Sequence, residues 1–200
     1  MKHYPYTTKE TDHLSKADPK LAALIAEHGI INRTIRPDLF EALVASIVSQ
    51  QISTKAVESV FNRLVEAVGE LAPPMILAKS DDELRACGLS YRKVGYIKGI
   101  CEAVRNGDLD LERLREATDA EVIEELVKLK GIGVWSAEMF LIFSLQREDI
   151  LSFGDLGIRN GLMRLHGLES LSKEEFDVFK ARYSPYGTVA SFYLWALANG

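Results

Sequence analysis

Apolar positions along the chain recur at spacings of three and four, and side chains that favour helix starts stand in front of most of these runs. Leu39, Leu43, Ala45, Ile47 and Val48 follow Pro37-Asp38, which predicts a helix starting near residue 39. Ser53 or Thr54 heads the next, where Val57, Phe61, Leu64, Val65 and Val68 keep the helical period until Gly69 stops it. Ser80-Asp81-Asp82-Glu83, Thr118-Asp119-Ala120-Glu121 and Ser172-Lys173-Glu174-Glu175 read as capping boxes, in which a hydroxyl and a glutamate three residues on take up each other's unpaired amides. Gly88 ends the first of these helices, and Ser90 starts another through Val94, Ile97, Ile100, Cys101 and Val104 to the Asn106-Gly107 turn. Convincing period-two alternation between turn residues is not found, so no sheet is expected. The pattern predicts an all-α protein of about ten helices. Composition does not shift along the chain, which predicts one domain over 1–200, a compact helical bundle in two lobes. Lobe one spans approximately 36–125; lobe two spans approximately 1–35 plus 126–200, with 1–35 adding one or two helices that close the bundle.

Composition narrows the function without naming it. At 200 residues, 47% hydrophobic and 26% charged, the chain is too apolar for disorder and long enough for a sizeable core. Cys87 and Cys101 cannot build a disulfide framework or hold an iron–sulfur cluster alone, and His3, His13, His28 and His166 lack metal-ligand spacing. No secretory signal is read in MKHYPYTTKETDH, and no apolar run has the length of a membrane span. A soluble, cytoplasmic protein with no membrane partner is expected, nucleoid-associated in a prokaryote or nuclear in a eukaryote. The net charge of −5 is opposite to the broad basic footprint of a nucleic-acid binder. Any such role must rest on local geometry and a few placed cations.

Residues 126–136 read LVKLKGIGVWS, a helix end, Gly131-Ile132-Gly133, and the start of a second apolar helix. Glycines one residue apart let the chain reverse through conformations closed to a β-carbon and let the backbone approach another surface. The first amides of the second helix then face outward with the helix dipole behind them, a site for a phosphate. The glycines alone fit an ordinary tight turn with a glycine C-cap equally well.

More than the glycines matches a known pattern. Leu129 to Ala137, L-x-G-I-G-x-x-x-A, resembles the helix–hairpin–helix motif of DNA-binding proteins. Twenty-two residues beyond Gly133 stands Asp155, in Ser152-Phe153-Gly154-Asp155-Leu156-Gly157. SIVSQQISTKA (Ser46 to Ala56), GLSYRKVGYI (Gly88 to Ile97) and SPYGTVASFYLW (Ser184 to Trp195) follow the same order. Together, over roughly 38–197, they resemble the helix–hairpin–helix DNA glycosylase superfamily, and within it the alkylpurine group of 3-methyladenine DNA glycosylase II. Departures are Lys130 where proline is common, Gly187 where arginine is frequent and Tyr183 where tryptophan is.

The resemblance implies a cleft between the lobes and a monofunctional DNA glycosylase, acting as a monomer on damaged duplex DNA in base excision repair. A cationic alkylated purine is already a good leaving group, so the chemistry needs a carboxylate near C1′ to stabilise the oxocarbenium-like sugar and to orient water. The resemblance gives that role to Asp155, which would equally serve as an N-cap for LGIRNGLMRLHG. The base must be flipped out and held by stacking. Trp135 and Trp195, with Met139 and Leu156 where relatives are more aromatic, are implied as its pocket; any of them would also suit a core. Trp135 stands where strand-cleaving relatives carry a Schiff-base lysine, which implies hydrolysis without lyase activity. Gln51 is implied as the plug for the vacated stack, from the Gln50-Gln51-Ile52-Ser53 loop. DNA contact is implied for Gly131, Gly133, Ser136, Lys130, Gln51 and Ser53, with an Na+ or K+ ion on the Leu129 and Ile132 carbonyls when DNA is bound. No cofactor is required. The basic segment 90–105 is a candidate second contact or a solvated face. Alternatives are the same fold acting on deaminated or etheno bases, and a non-catalytic helix–hairpin–helix module.

Overall fold

An α-helix leaves its first four amides and last four carbonyls without partners, so a chain built almost wholly of helices is organised by what satisfies them. The computed structural model describes residues 2–199. It contains α1 (Thr8–Ala17), α2 (Pro19–His28), α3 (Leu39–Ser49), α4 (Thr54–Val68), α5 (Pro73–Leu77), α6 (Asp81–Ala86) and α7 (Tyr91–Asn106). After these come α8 (Arg113–Glu116), α9 (Asp119–Val127), α10 (Val134–Phe143), α11 (Leu156–His166), α12 (Lys173–Tyr183) and α13 (Gly187–Asn199). Among the described residues there is no strand, only an isolated antiparallel bridge between His3 and Thr34. The all-α class is observed.

The caps account for most boundaries. Ser80, Thr118 and Ser172 form the three expected capping boxes, and Thr7 with Glu10 forms a fourth at α1. Asp38, Ser53, Ser90 and Asp155 each accept an amide from the first turn they precede. Gly107 and Gly167 close α7 and α11 in the left-handed conformation. The helices outnumber the ten expected because short ones were hidden: Pro73 and Pro74, which look like punctuation, open α5 with their fixed φ, and α8 is a single turn.

The chain divides into two compact units, 1–35 with 141–200, and 36–140. Residues 126–140, grouped with the termini on sequence grounds, fall in the second of these. In the 36–140 unit, α3 is its most buried helix, with Leu43, Val44, Ile47 and Val48 shielded from solvent, and α7, whose Val94, Ile97 and Ile100 are buried, packs on α3 and α5. A helix apolar on every side belongs in a core. In the other unit α13 has that place, with Val189 to Leu194 all buried. Tyr193 donates to the Gly29 carbonyl at 2.8 Å, and the Tyr6 hydroxyl accepts the Ile31 amide at 2.6 Å, which pins the segment after α2.

Asp18 ties that unit's helices together. Its carboxylate caps α2 through the Lys20 and Leu21 amides, at 3.0 and 3.3 Å. It also accepts from the Tyr183 hydroxyl at 2.8 Å and Arg182 at 3.3 Å, and lies 3.3 Å from His166 Nε2. Burial works against the charge, but the Tyr183 and Leu21 hydrogen bonds outweigh it and hold the Asp18 pKa below 3.8. Burial pushes His166 below 6.5, outweighing the pull of Asp18. A depressed histidine lets the unfolded chain bind its proton first, so stability is complete above about pH 6.5 and declines as the pH falls below it. A depressed carboxylate adds a further loss below about pH 4. Asp18→Ala should cost about 3 kcal/mol in urea unfolding at pH 7. His166→Gln should abolish the decline between about pH 6.5 and 5; a variant whose midpoint still tracks wild type over that range would contradict the assignment.

Candidate active site and nucleic-acid interface

In the unit formed by 1–35 and 141–200, buried α13 carries polar side chains on one stripe: Thr188, Ser191 and Trp195, at helical spacings of three and four. The Thr188 hydroxyl donates to the Arg147 carbonyl at 2.6 Å and accepts the Ile150 amide at 3.1 Å. The Ser191 hydroxyl lies 3.2 Å from the Ile150 carbonyl and 2.9 Å from that of Gly187, positioned to donate to either. The Trp195 indole Nε1 donates to Asp155 Oδ1 at 2.9 Å. Asp149 accepts from the Ser184 hydroxyl at 2.6 Å and the Gly187 amide at 3.1 Å. The segment leading to Asp155 is therefore fastened along α13, and its last fastening is the carboxylate itself.

Asp155 is also the N-cap of α11, its Oδ1 accepting the Ile158 amide at 2.9 Å. Only 7% of the residue is exposed, so the protein's own N–H groups must replace water around the charge. Two glycines allow this. A β-carbon at Gly161 would sit 2.4 Å from the Leu194 carbonyl oxygen. One at Gly157 would sit 2.8 Å from Trp195 Cδ1 and 3.1 Å from Asp155 Oδ1. One turn apart on α11, they let its backbone meet α13 directly. The Trp195 ring lies nearly parallel to Phe143 and Phe192, with centroids at 5.9 and 6.1 Å. Leu156, next to Asp155, is 61% exposed, which a core residue would not be.

In the 36–140 unit, Gly131 has φ +93° and its α-carbon faces the Tyr96 ring, 2.4 Å from where a β-carbon would stand. Gly133 needs neither property: its φ is not left-handed and a β-carbon there meets nothing within 4 Å. The expectation that both glycines serve the reversal is thus corrected to Gly131 alone. The Gln50 side-chain amide donates to the Gly131 carbonyl at 2.8 Å, joining the glutamine loop to the hairpin. Gln51 adopts φ +57° and is exposed. Its Oε1 accepts from Arg92 at 3.3 Å, and Lys93 donates to the Val48 carbonyl at 2.8 Å. Ser53 caps α4. Lys130 is exposed, Ser136 half-buried, and Trp135 is 50% exposed at the start of α10, with half-buried Met139 one turn on.

Segment 90–105 is partly engaged within the unit, with Arg105 exposed and reaching the Asn106 side chain. Arg92 and Lys93 brace the glutamine loop, and Lys98 pairs with Asp81 at 2.5 Å. The Leu129 carbonyl accepts the Ile132 amide at 3.1 Å, which leaves one of its two lone pairs for an ion. No cluster of three or more His, Cys, Asp or Glu suited to a metal occurs among the described residues, and no described helix is long and apolar enough to cross a membrane.

The model of the HhH-GPD superfamily base excision DNA repair protein matches residues 44–180. The chain is 35% identical over 196 residues to DNA-3-methyladenine glycosylase 1 of Schizosaccharomyces pombe, covering 94% of this chain and 86% of that protein. The crystal structure of a DNA-3-methyladenine glycosidase from Bacillus halodurans superposes with a TM-score of 0.87 at 37% identity, covering 99% of this chain and 93% of that one. The Schizosaccharomyces pombe 3-methyladenine DNA glycosylase in complex with abasic DNA superposes with a TM-score of 0.81 at 34% identity, covering 94% and 95%. The chain belongs to the HhH-GPD superfamily of base excision DNA repair proteins.

Thr188, Ser191, Gly157, Gly161 and Gln50 were not identified from sequence as site-builders. The glycine pair and the α13 stripe were visible as spacings, but what each would meet was not. Two variants separate shape from contact at the hairpin. Gly131→Ala should cost roughly 2 kcal/mol or more, from its left-handed φ and the Tyr96 ring. Gly133→Ala should leave helicity and melting unchanged while weakening duplex binding several-fold; unchanged binding would remove Gly133 from the interface.

Proposed function

We propose that the chain is a monofunctional DNA glycosylase. It would flip alkylated purines of the 3-methyladenine and 7-methylguanine type out of duplex DNA and hydrolyse their N-glycosidic bonds. The observation that carries this is Asp155, a buried carboxylate whose Oδ1 takes both the Trp195 indole N–H and the Ile158 amide, beside a stack of three aromatic rings. The relatives named above for 3-methyladenine support the substrate class.

In the proposed reaction the bond from C1′ to the purine nitrogen breaks, and its electron pair leaves with the base, neutralising the cationic ring. The positive charge this leaves on the sugar is stabilised by the Asp155 carboxylate. Water then bonds to C1′ and gives up a proton, with Asp155 as acceptor. Trp195 offers the aromatic face and holds the carboxylate; Trp135, Met139 and Leu156 complete the list of base-binding side chains. With tryptophan at 135 there is no amine for a Schiff base, so the product is an abasic site on an intact strand.

Gln51 suits the role of plug because it is exposed with a left-handed backbone, and its side-chain oxygen accepts from Arg92. The hairpin amides near Gly131 and Gly133, with Ser136, Lys130 and Ser53, would take the phosphates. The Leu129 and Ile132 carbonyls would hold an Na+ or K+ ion when DNA is bound; the chemistry itself needs no cofactor. The enzyme would act as a monomer in the compartment that holds the DNA.

Asparagine at 155 keeps an oxygen for both donors, so Asp155→Asn should fold and bind normally. It should release methylpurines from methylated duplex DNA about a hundredfold to a thousandfold more slowly, read by chromatography of free base. Wild-type rates in that variant would sink the mechanism. Release by neither protein, with DNA binding intact, would favour deaminated or etheno bases or a binding module. Since the net charge is −5, the slope of log affinity against log salt should be shallow, about −4 or less in magnitude; a steep slope would reveal a basic surface not recognised in the fold.

A further inference from the structure

Among the described residues Arg33 is a cation without a counter-ion. Its backbone is clamped in place: its carbonyl accepts the Tyr4 amide at 2.8 Å, and the Ile35 amide reaches the Lys2 carbonyl at 3.0 Å. Its side chain turns towards α13, where Nη2 donates to the Phe192 carbonyl at 3.3 Å. Cζ lies 5.8 Å from the centre of the Trp195 ring. Nε is buried with no hydrogen-bond partner, and among the described residues Arg33 makes no ion pair. A partly buried guanidinium so poorly satisfied works against stability, and burial lowers its pKa. An arginine nevertheless keeps its proton. A methionine or leucine would fill the same space without that cost, so the charge calls for an explanation in what Trp195 does.

We infer that Arg33 is a specificity-determining residue: by fixing a cation against Trp195, it weakens the pocket's preference for cationic alkylpurines relative to neutral damaged bases. This rests on the glycosylase activity proposed above and on stacking of the flipped base against Trp195. An indole face attracts cations through its quadrupole, and a guanidinium already beside the ring opposes a second positive charge. The opposition persists through the reaction. For a methylated purine the base and sugar together carry one positive charge at every stage from flipping to bond cleavage, first on the base and then on the sugar. For a neutral base the same atoms sum to zero. A base stacked on Trp195 lies within roughly 9 Å of the guanidinium, where at an effective dielectric of about 20 one unit of charge changes a rate ratio on the order of tenfold. Arg33 thus acts through Trp195 without touching the reacting atoms.

The experiment measures kcat/KM on two duplexes of one sequence, carrying either a single 7-methylguanine or a single hypoxanthine, and takes their ratio. Arg33→Gln removes the charge and keeps a donor for Phe192; Arg33→Met keeps only the apolar stem; Arg33→Lys keeps the charge. The ratio should rise on the order of tenfold in the first two, through a lower KM for methylguanine, and stay within about twofold of wild type in the third. Partial unfolding lowers both activities alike and cancels in the ratio. A ratio that is unmoved or falls in Arg33→Gln and Arg33→Met overturns the inference, as does a wild type that excises methylguanine but no hypoxanthine. A wild type that releases neither base overturns the glycosylase proposal itself, and this inference with it.

Discussion

A carboxylate removed from water must find its hydrogen bonds inside the protein, and Asp155 accepts from the Trp195 indole and from the Ile158 amide. The second is local, a cap any N-terminal aspartate can make. The first spans forty residues of sequence and exists only because α11 and α13 approach with almost nothing between them. Glycine at 161 lets the α11 backbone rest on the Leu194 carbonyl, and glycine at 157 leaves room for the indole beside the carboxylate. The remaining order follows from that approach. Thr188 and Ser191 fasten the segment before Asp155 to the same helix, so the carboxylate's position is fixed along the chain as well as across it.

The 36–140 unit solves a different problem with similar means. A protein of net charge −5 cannot rely on a broad electrostatic attraction to DNA, and at 90–105 Arg92, Lys93 and Lys98 are engaged in its own structure. Backbone amides remain, and they recognise phosphate only if their direction is fixed. Gly131 supplies the reversal, Tyr96 fills the space a β-carbon would need, and the Gln50 amide holds the Gly131 carbonyl. Gln50 and Gln51, adjacent in sequence, thus divide their work: one anchors the loop to the hairpin, and the other is left exposed with a left-handed backbone.

What could be seen in the sequence was what is local. The capping boxes at Ser80, Thr118 and Ser172 announce their helices within four residues, and all three are present. The turn at Gly131 and the cap at Asp155 are of the same kind. Non-local partners were invisible. The Lys98 charge looks free until Asp81 of α6 is placed beside it, and nothing near Trp195 in the sequence shows that its N–H is held by Asp155. Arg33 has no local signature at all, since nothing around Asn32-Arg33-Thr34 marks a residue that will lie against an indole on the last helix. Short helices hid for a physical reason too: α5 and α8 are too brief to show a period.

Tryptophan at 195 is the residue type that meets two demands at once. The carboxylate accepts only, and an indole N–H donates only, so the pair has one possible arrangement; a histidine or glutamine could turn the wrong atom inward. A tyrosine would present a hydroxyl that both donates and accepts, and a phenylalanine would leave Oδ1 with the Ile158 amide alone of these two donors. The same ring is large and electron-rich, and Phe143 and Phe192 hold its plane. Fixing the plane fixes the N–H, and fixing the N–H fixes the carboxylate, so whatever orients the base-stacking surface also orients the group proposed to stabilise the sugar. A charge set against that ring therefore reaches both, which is why a residue as far away in sequence as Arg33 can bear on which bases are removed.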